Sequence, residues 1–236
     1  MVHSSTISHY QYIKLAIENK IPVYVDKPLT NNIKQSKQLI SLAKTNDTLL
    51  FVGYNRRFAP LYKILKDKNL EILRIHYEKH RNDLTYNVDY QTAIIDYFIH
   101  LIDSVDDIII NDLTLKSAQA NISNNNELIS LYTDFSSNDT IITLFMNRSA
   151  GSDYERVTID AKGQLIIINN MREMIILKNN QIETIKTSDR LSDSEIRGFK
   201  NGLDHFFDLA TNNKFVPLKQ FDSEIHCEHI IKNLEI

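Results

Sequence analysis

The sequence predicts an α/β segment followed by an α+β domain built on a large open sheet, mixed or antiparallel. Helix and strand signals alternate over roughly the first 55 residues. A series of short strands, most separated by Asn/Ser/Gly-rich turns, then fills residues 112–185, and two helical stretches close the chain.

Taken in order, residues 9–19 place apolar side chains at Tyr12, Ile13, Leu15, Ala16 and Ile17, as a short packed helix does. Residues 22–25 form a compact apolar run of strand type. Thr30 is placed to cap a helix reaching Asn46, with Ile33, Leu39, Ile40 and Leu42 inward. Residues 49–53 read as a second buried strand, completing a parallel βαβ pattern. After a helix near 60–68, residues 70–79 read as a strand and 91–110 as a long apolar helix. Strands follow at 113–120, 127–134, 140–146, 155–159, 165–168, 174–177 and 181–185, then helices at 192–211 and 220–234. An open sheet cannot stand on two strands. The 236 residues also hold no Gly-x-Gly-x-x-Gly turn. Either the sheet is completed elsewhere, or the chain lacks the first strands of its α/β domain.

With 42% hydrophobic and 24% charged residues the chain has ordinary globular proportions and material for a real core. A net charge of -3 leaves no electrostatic footprint for nucleic acid. The single cysteine, Cys227, excludes an internal disulfide and fits a reducing compartment. The start, Met1-Val-His-Ser-Ser-Thr6, is not that of a signal peptide, and no apolar run reaches the ~20 residues of a membrane span. A cytoplasmic protein with neither membrane nor nucleic-acid partners is expected.

Three places carry candidate chemistry. Asp26-Lys27-Pro28 follows the 22–25 strand, where open α/β sheets bind ligands; otherwise Lys27 is a solvated turn residue. On the 91–110 helix, Asp96, His100, Asp103 and Asp107 fall at i, i+4, i+7 and i+11, on one face. A carboxylate four residues before a histidine can fix its tautomer and raise its basicity. The plainer alternative is a solvated polar stripe. The segment Val52-Gly-Tyr-Asn-Arg-Arg-Phe58 offers an amide and two guanidiniums at the end of the next strand. His226, Cys227 and His229 include an i, i+3 histidine pair, but no further ligand set accompanies them and no metal is expected. His76 and His80 alternate with apolar residues and line one sheet face.

Together these places resemble the Gfo/Idh/MocA oxidoreductase family. Its Glu-Lys-Pro motif appears here as Asp26-Lys27-Pro28, with Asp in place of Glu. Its strand-end Gly followed by Arg and an aromatic matches Gly53-Tyr-Asn-Arg-Arg-Phe58. Its Asp-x-x-x-His helix matches Asp96 and His100, with Asp103 beyond. Ser4-Ser-Thr-Ile-Ser-His9 is similar to the family's loop beside the nicotinamide ribose, and Gly198-Phe199 to a late helix start. Within the family the motifs look most like the MviM/YceM group.

The resemblance implies a partial Rossmann domain at 1–57, without its first strands and Gly-rich turn, and a substrate and dimerisation domain at 58–236. It implies NAD or NADP as cofactor, a sugar- or polyol-like small-molecule substrate, and a homodimer formed through the C-terminal sheet. Lys27, Asp96 and His100 become the catalytic set; Ser4, Thr6, His9, Asp26, Lys27, Pro28, Asn55 and Arg56 border the cofactor; His80, Arg81, Arg148 and Arg172 are substrate contacts. The rival expectation is an inactive remnant serving as a dimeric binding or scaffold domain.

Overall fold

The computed structural model describes residues 1–82, 88–109, 111–212 and 221–234. Strands β1 (Val23–Asp26) and β2 (Leu50–Gly53) pair in parallel, with Asp26 opposite Gly53. Val2 adds one parallel bridge on the other edge of β1, its N–H donating to the Tyr24 carbonyl at 2.8 Å. The loops after Val2, β1 and β2 therefore leave from one end of this small sheet. Helix α1 (Thr6–Glu18) buries His9, Ile13 and Ile17, so Tyr12 and Leu15, expected inward, are exposed. The inward stripe runs at four-residue spacing, and a histidine belongs to it. Helix α2 (Ile33–Thr45) is capped by Asn32 rather than Thr30. The Asn32 side chain accepts from the Lys34 and Gln35 N–H groups, while the Thr30 hydroxyl lies 2.8 Å from Ser36 Oγ.

A turn at Asn55–Phe58 and helix α3 (Pro60–Asp67) lead into β3 (Ile72–Asn82), the middle of an eight-stranded sheet. The other strands are β4 (Thr114–Ile122), β5 (Leu128–Ser137), β6 (Thr140–Asn147), β7 (Ser149–Ala161), β8 (Gln164–Asn169), β9 (Glu173–Lys178) and β10 (Gln181–Lys186). Their order is β10-β9-β8-β7-β3-β6-β5-β4, antiparallel except where β3 meets β6 in parallel. Strand alternation sets the two faces. Ile75, Tyr77 and Lys79 of β3 and Glu155, Val157 and Ile159 of β7 are buried on one face. That face is covered by the helical segment 90–108 and by α8 (Asp222–Asn233).

The helix expected over 192–211 is two, α6 (Asp193–Ile196) and α7 (Phe199–Thr211), parted at Gly198 with φ +83°. A Cβ there would collide with the Asn55 carbonyl oxygen and the Ala59 nitrogen, so glycine lets α7 approach the turn after β2. Gln220 and Ile110, expected helix ends, lie outside the described residues. No helix among the described residues is long and apolar enough to cross a membrane.

Candidate active site

Lys27 leaves the C-terminal end of β1, followed by a cis peptide bond to Pro28. Its N–H donates to Asp26 Oδ1 at 2.9 Å, and its Nζ reaches the helical segment opposite. There it donates to the Asp96 carbonyl at 2.6 Å and to Asp96 Oδ1 at 3.2 Å. The Lys27 side chain is 15% exposed and that of Asp96 35%, so the pair is open to solvent on one side.

The segment that carries Asp96 is not a regular α-helix. It opens as α4 (Tyr90–Ala93), capped by Asp89 on the Thr92 N–H, widens into a π-turn at Ile94–Phe98, and continues as α5 (Ile99–Ile108). A π-turn adds one residue and swings the side chains before it relative to those after it. The polar stripe predicted on this segment is there, but it is a docking row rather than a solvated face. Asp96 meets Lys27, Asp103 meets Arg57 with Nη2–Oδ1 at 2.5 Å, and Asp107 meets Lys66 at 2.5 Å. Asp103 also accepts from Ser223 of α8. Three carboxylates thus bind this segment to the loops and helix following β1 and β2.

His100 is half-buried in the same segment, and no side chain among the described residues bonds its ring. Burial, followed by the charges of Arg56, Lys79, Lys27 and Arg81, holds its proton affinity well below the ordinary histidine value. The imidazole is neutral at pH 7 and able to accept a proton.

The floor of the site is a buried network. Arg56 grips Glu155 with both Nε and Nη2, at 2.7 and 2.5 Å, and the Tyr77 hydroxyl donates to the same carboxylate at 2.5 Å. The Tyr62 hydroxyl in turn donates to Tyr77 at 3.0 Å. Burial alone would raise the Glu155 carboxyl, but Arg56 outweighs it and holds Glu155 down at about 2. Lys79, directly opposite Glu155 in the sheet, is buried and pushed well below the usual lysine range by desolvation and by Arg56. Arg56, Lys79 and Glu155 border a 240 Å³ cavity with Arg81, Arg172 and Arg197. A second cavity, of 550 Å³, lies between the loop after β1 and the π-turn, lined by Ser5, Thr6, Pro28 and Asp96.

The geometry sorts the sequence-derived candidates. Lys27, Asp96 and His100 lie where β1 meets the helical segment, and Thr6 and Pro28 line the larger cavity beside them. Ser4 is exposed, with its Oγ accepting from Ser8. Three expected cofactor neighbours are engaged inside the protein instead. His9 is buried, with Nδ1 3.1 Å from the Pro28 carbonyl and Nε2 3.1 Å from that of Ser4. Asn55 donates to the Arg197 carbonyl at 2.8 Å, and Arg56 turns under the sheet to Glu155. Each fixes a loop through these bonds.

The expected substrate residues divide as well. Arg81 and Arg172 border the 240 Å³ cavity. His80 touches its edge, but its ring points to the outer sheet face between Tyr154 and Phe145. Arg148 is fully buried, its guanidinium 5.2 Å over the Tyr97 ring. Cys227 is buried with its Sγ 3.8 Å from the Ile94 carbonyl, and His226 packs edge-on to Phe135. Sequence reading missed Lys79 and Glu155. The available signal was parity: with Ile75 and Tyr77 inward, Lys79 must point inward too.

A parallel α/β segment joined to a large open sheet, with a lysine and an aspartate meeting at a strand end, is the architecture of a class of solved dehydrogenases. Comparison with known proteins specifies it: the chain belongs to the Gfo/Idh/MocA oxidoreductase family. Residues 1–54 match the family described as "Oxidoreductase family, NAD-binding Rossmann fold", and residues 60–179 match the "YceM-like, C-terminal domain". The chain is 31% identical to the oxidoreductase-family protein YceM of Salmonella typhimurium, over 99% of this chain and 76% of YceM. A solved dehydrogenase, MviM of Clostridium difficile, superposes with a TM-score of 0.92 at 30% identity, covering 97% of this chain and 77% of that one. Levoglucosan dehydrogenase, solved with NADH and levoglucosan, shares the fold with a TM-score of 0.84 at 14% identity, over 98% of this chain and 76% of that one.

Proposed function

We propose that this chain carries the reacting centre of a dehydrogenase that moves hydride between a hydroxyl-bearing carbon of a small sugar- or polyol-like molecule and NAD or NADP. The observation that carries the reading is the meeting of Lys27 with Asp96 beside a neutral His100 at the end of β1. Residues 1–57 are read as the cofactor side and 58–236 as the substrate side. The residues present fit the nicotinamide end of the cofactor. The 550 Å³ cavity has Ser5 and Thr6 on one wall, Pro28 on another and Asp96 at the reacting end. Bound there, nicotinamide supplies a two-electron acceptor.

The chain's own groups supply the rest. Lys27 donates a hydrogen bond to the reacting oxygen and stabilises negative charge as it develops. Asp96 holds the Lys27 amine at two points, its carbonyl and its carboxylate, and sets its direction. His100, neutral and without a side-chain partner among the described residues, takes the hydroxyl proton. The fold likeness to a sugar dehydrogenase solved with NADH supports this class of substrate and cofactor. Exposed apolar side chains on the sheet, Ile141 and Ile182, support pairing of two copies through it.

The test is nicotinamide reduction, followed by absorbance, with a panel of sugars and polyols and either NAD or NADP. Lys27→Ala and His100→Ala should each lower turnover ~10²–10⁴-fold while leaving the fold and the nicotinamide affinity in place. Unchanged turnover in both variants refutes the assignment.

A further inference from the structure

We propose that Lys79 is a further substrate-contacting residue, and that the 240 Å³ cavity it lines receives a carboxylate of the substrate, so that the preferred substrate is a small sugar acid. The proposal rests on the dehydrogenase reading above and names the class of molecule within it.

Lys79 occupies an inward position of β3 and is 5% exposed. Among the described residues its Nζ makes one hydrogen bond, to the Tyr97 carbonyl of the π-turn at 3.2 Å. An ammonium has three donors, so two remain for whatever fills the cavity. Glu155 stands opposite in the sheet and supports the charge on Lys79 through space, but its carboxylate accepts its hydrogen bonds from Arg56 and Tyr77. Burial disfavours the charged amine, and an anion entering the cavity would favour the ammonium and complete its shell.

The rest of the wall has the same bias. Arg172 and Arg197 both lean on a single carboxylate, Asp193, at 2.9 Å each. Burial first, and then the charges of Arg56, Arg81 and Lys27, lower the proton affinities of Lys79 and His100, while Glu155 acts the other way on Lys79. Asp153 lines the cavity too, but it accepts from the Asn82 N–H at 3.0 Å. The volume falls below the ~300–1,000 Å³ of sites for drug-sized ligands, which suits a single short carbon chain. A monoanion also suits a wall that keeps carboxylates of its own.

The experiment is calorimetric titration of the chain with sugar acids, each beside the polyol of the same carbon skeleton. The pairs are gluconate with sorbitol, xylonate with xylitol, and threonate with threitol. At least one acid should bind about tenfold or more tightly than its polyol, as one charged hydrogen bond implies. Lys79→Met should bring that pair to within about twofold. Acids that bind no better than their polyols overturn the proposal on the wild-type chain alone, whatever the variant does to folding. A preference that survives in Lys79→Met also overturns the role given to Lys79. Because binding is read without hydride transfer, the dehydrogenase reading fails separately, through unchanged turnover in Lys27→Ala and His100→Ala.

Discussion

Arg56 and Glu155 meet under the sheet with side chains 6% and 10% exposed and two parallel hydrogen bonds. Lys27 and Asp96 meet at the rim, 15% and 35% exposed, through one contact of 3.2 Å and one to a backbone carbonyl. The first pair is locked: Arg56 Nε and Nη2 both donate to the Glu155 carboxylate, which also accepts from Tyr77. The second is loose enough to rearrange around a reacting oxygen and exposed enough to meet one. The motif Asn55-Arg-Arg-Phe58 looked as suited to ligand binding as Asp26-Lys27-Pro28, yet its arginines anchor the floor and the docking row while Lys27 faces the cleft.

This contrast can be broken by substitution. Glu155→Ala leaves Arg56 buried without a counter-charge and should cost ~3–5 kcal/mol of stability, read by urea denaturation. Replacing both members, Arg56→Met with Glu155→Leu, should recover most of that loss. Lys27→Ala should change stability by no more than ~1 kcal/mol while abolishing most turnover. If Lys27→Ala destabilises as much as Glu155→Ala, the rim pair is structural and the distinction collapses.

Two buried carboxylates sharpen it through pH. Glu155 is held at about 2, below its ordinary 4.5, so its contribution is present above pH 4.5 and is lost as pH falls toward 2. Glu224 accepts from the Leu29 N–H and the Ser36 hydroxyl, and burial raises it to about 7. Its protonated form is favoured in the fold, so that contribution is present below pH 4.5 and is lost as pH rises from 4.5 to 7. Each shift corresponds to ~3 kcal/mol. Urea stability measured across this range should decline at both ends, and Glu224→Gln should flatten the upper decline only. The smallest effect is expected at the edge of the docking row: Lys66 and Asp107 are 30% and 20% exposed, and Asp107→Asn should shift stability by ~0–1 kcal/mol without altering turnover.

Periodicity made the strands and most helices legible, because the inner face of β3 and β7 alternates without interruption through their centres. What escaped has physical reasons. The π-turn at Ile94–Phe98 has no residue signature, and its Asp96 meets Lys27 from a distant strand end. Periodicity runs one helix through Gly198; only the family resemblance marks a helix start there, and the reason for it is the Asn55–Phe58 turn lying against it. His9 appeared to be a surface group because its acceptors, Ser4 and Pro28, come from separate loops. Glu155 lies 99 positions from Arg56, and only the β3–β7 pairing joins them. Lys27, Asp96 and His100 are singled out by the family resemblance, whose motifs are local in sequence; spacing alone leaves a solvated turn lysine and a solvated polar stripe open.

The most direct test of the central claim is titration of this chain with reduced nicotinamide cofactor, NADH and NADPH in turn, followed by cofactor fluorescence. Saturable binding in the micromolar range to one of the two, with the affinity retained in His100→Ala while sugar-dependent turnover is lost, is the result predicted here. Absence of binding up to millimolar cofactor would contradict it, leaving Lys27, Asp96 and His100 as a family imprint without a hydride to direct.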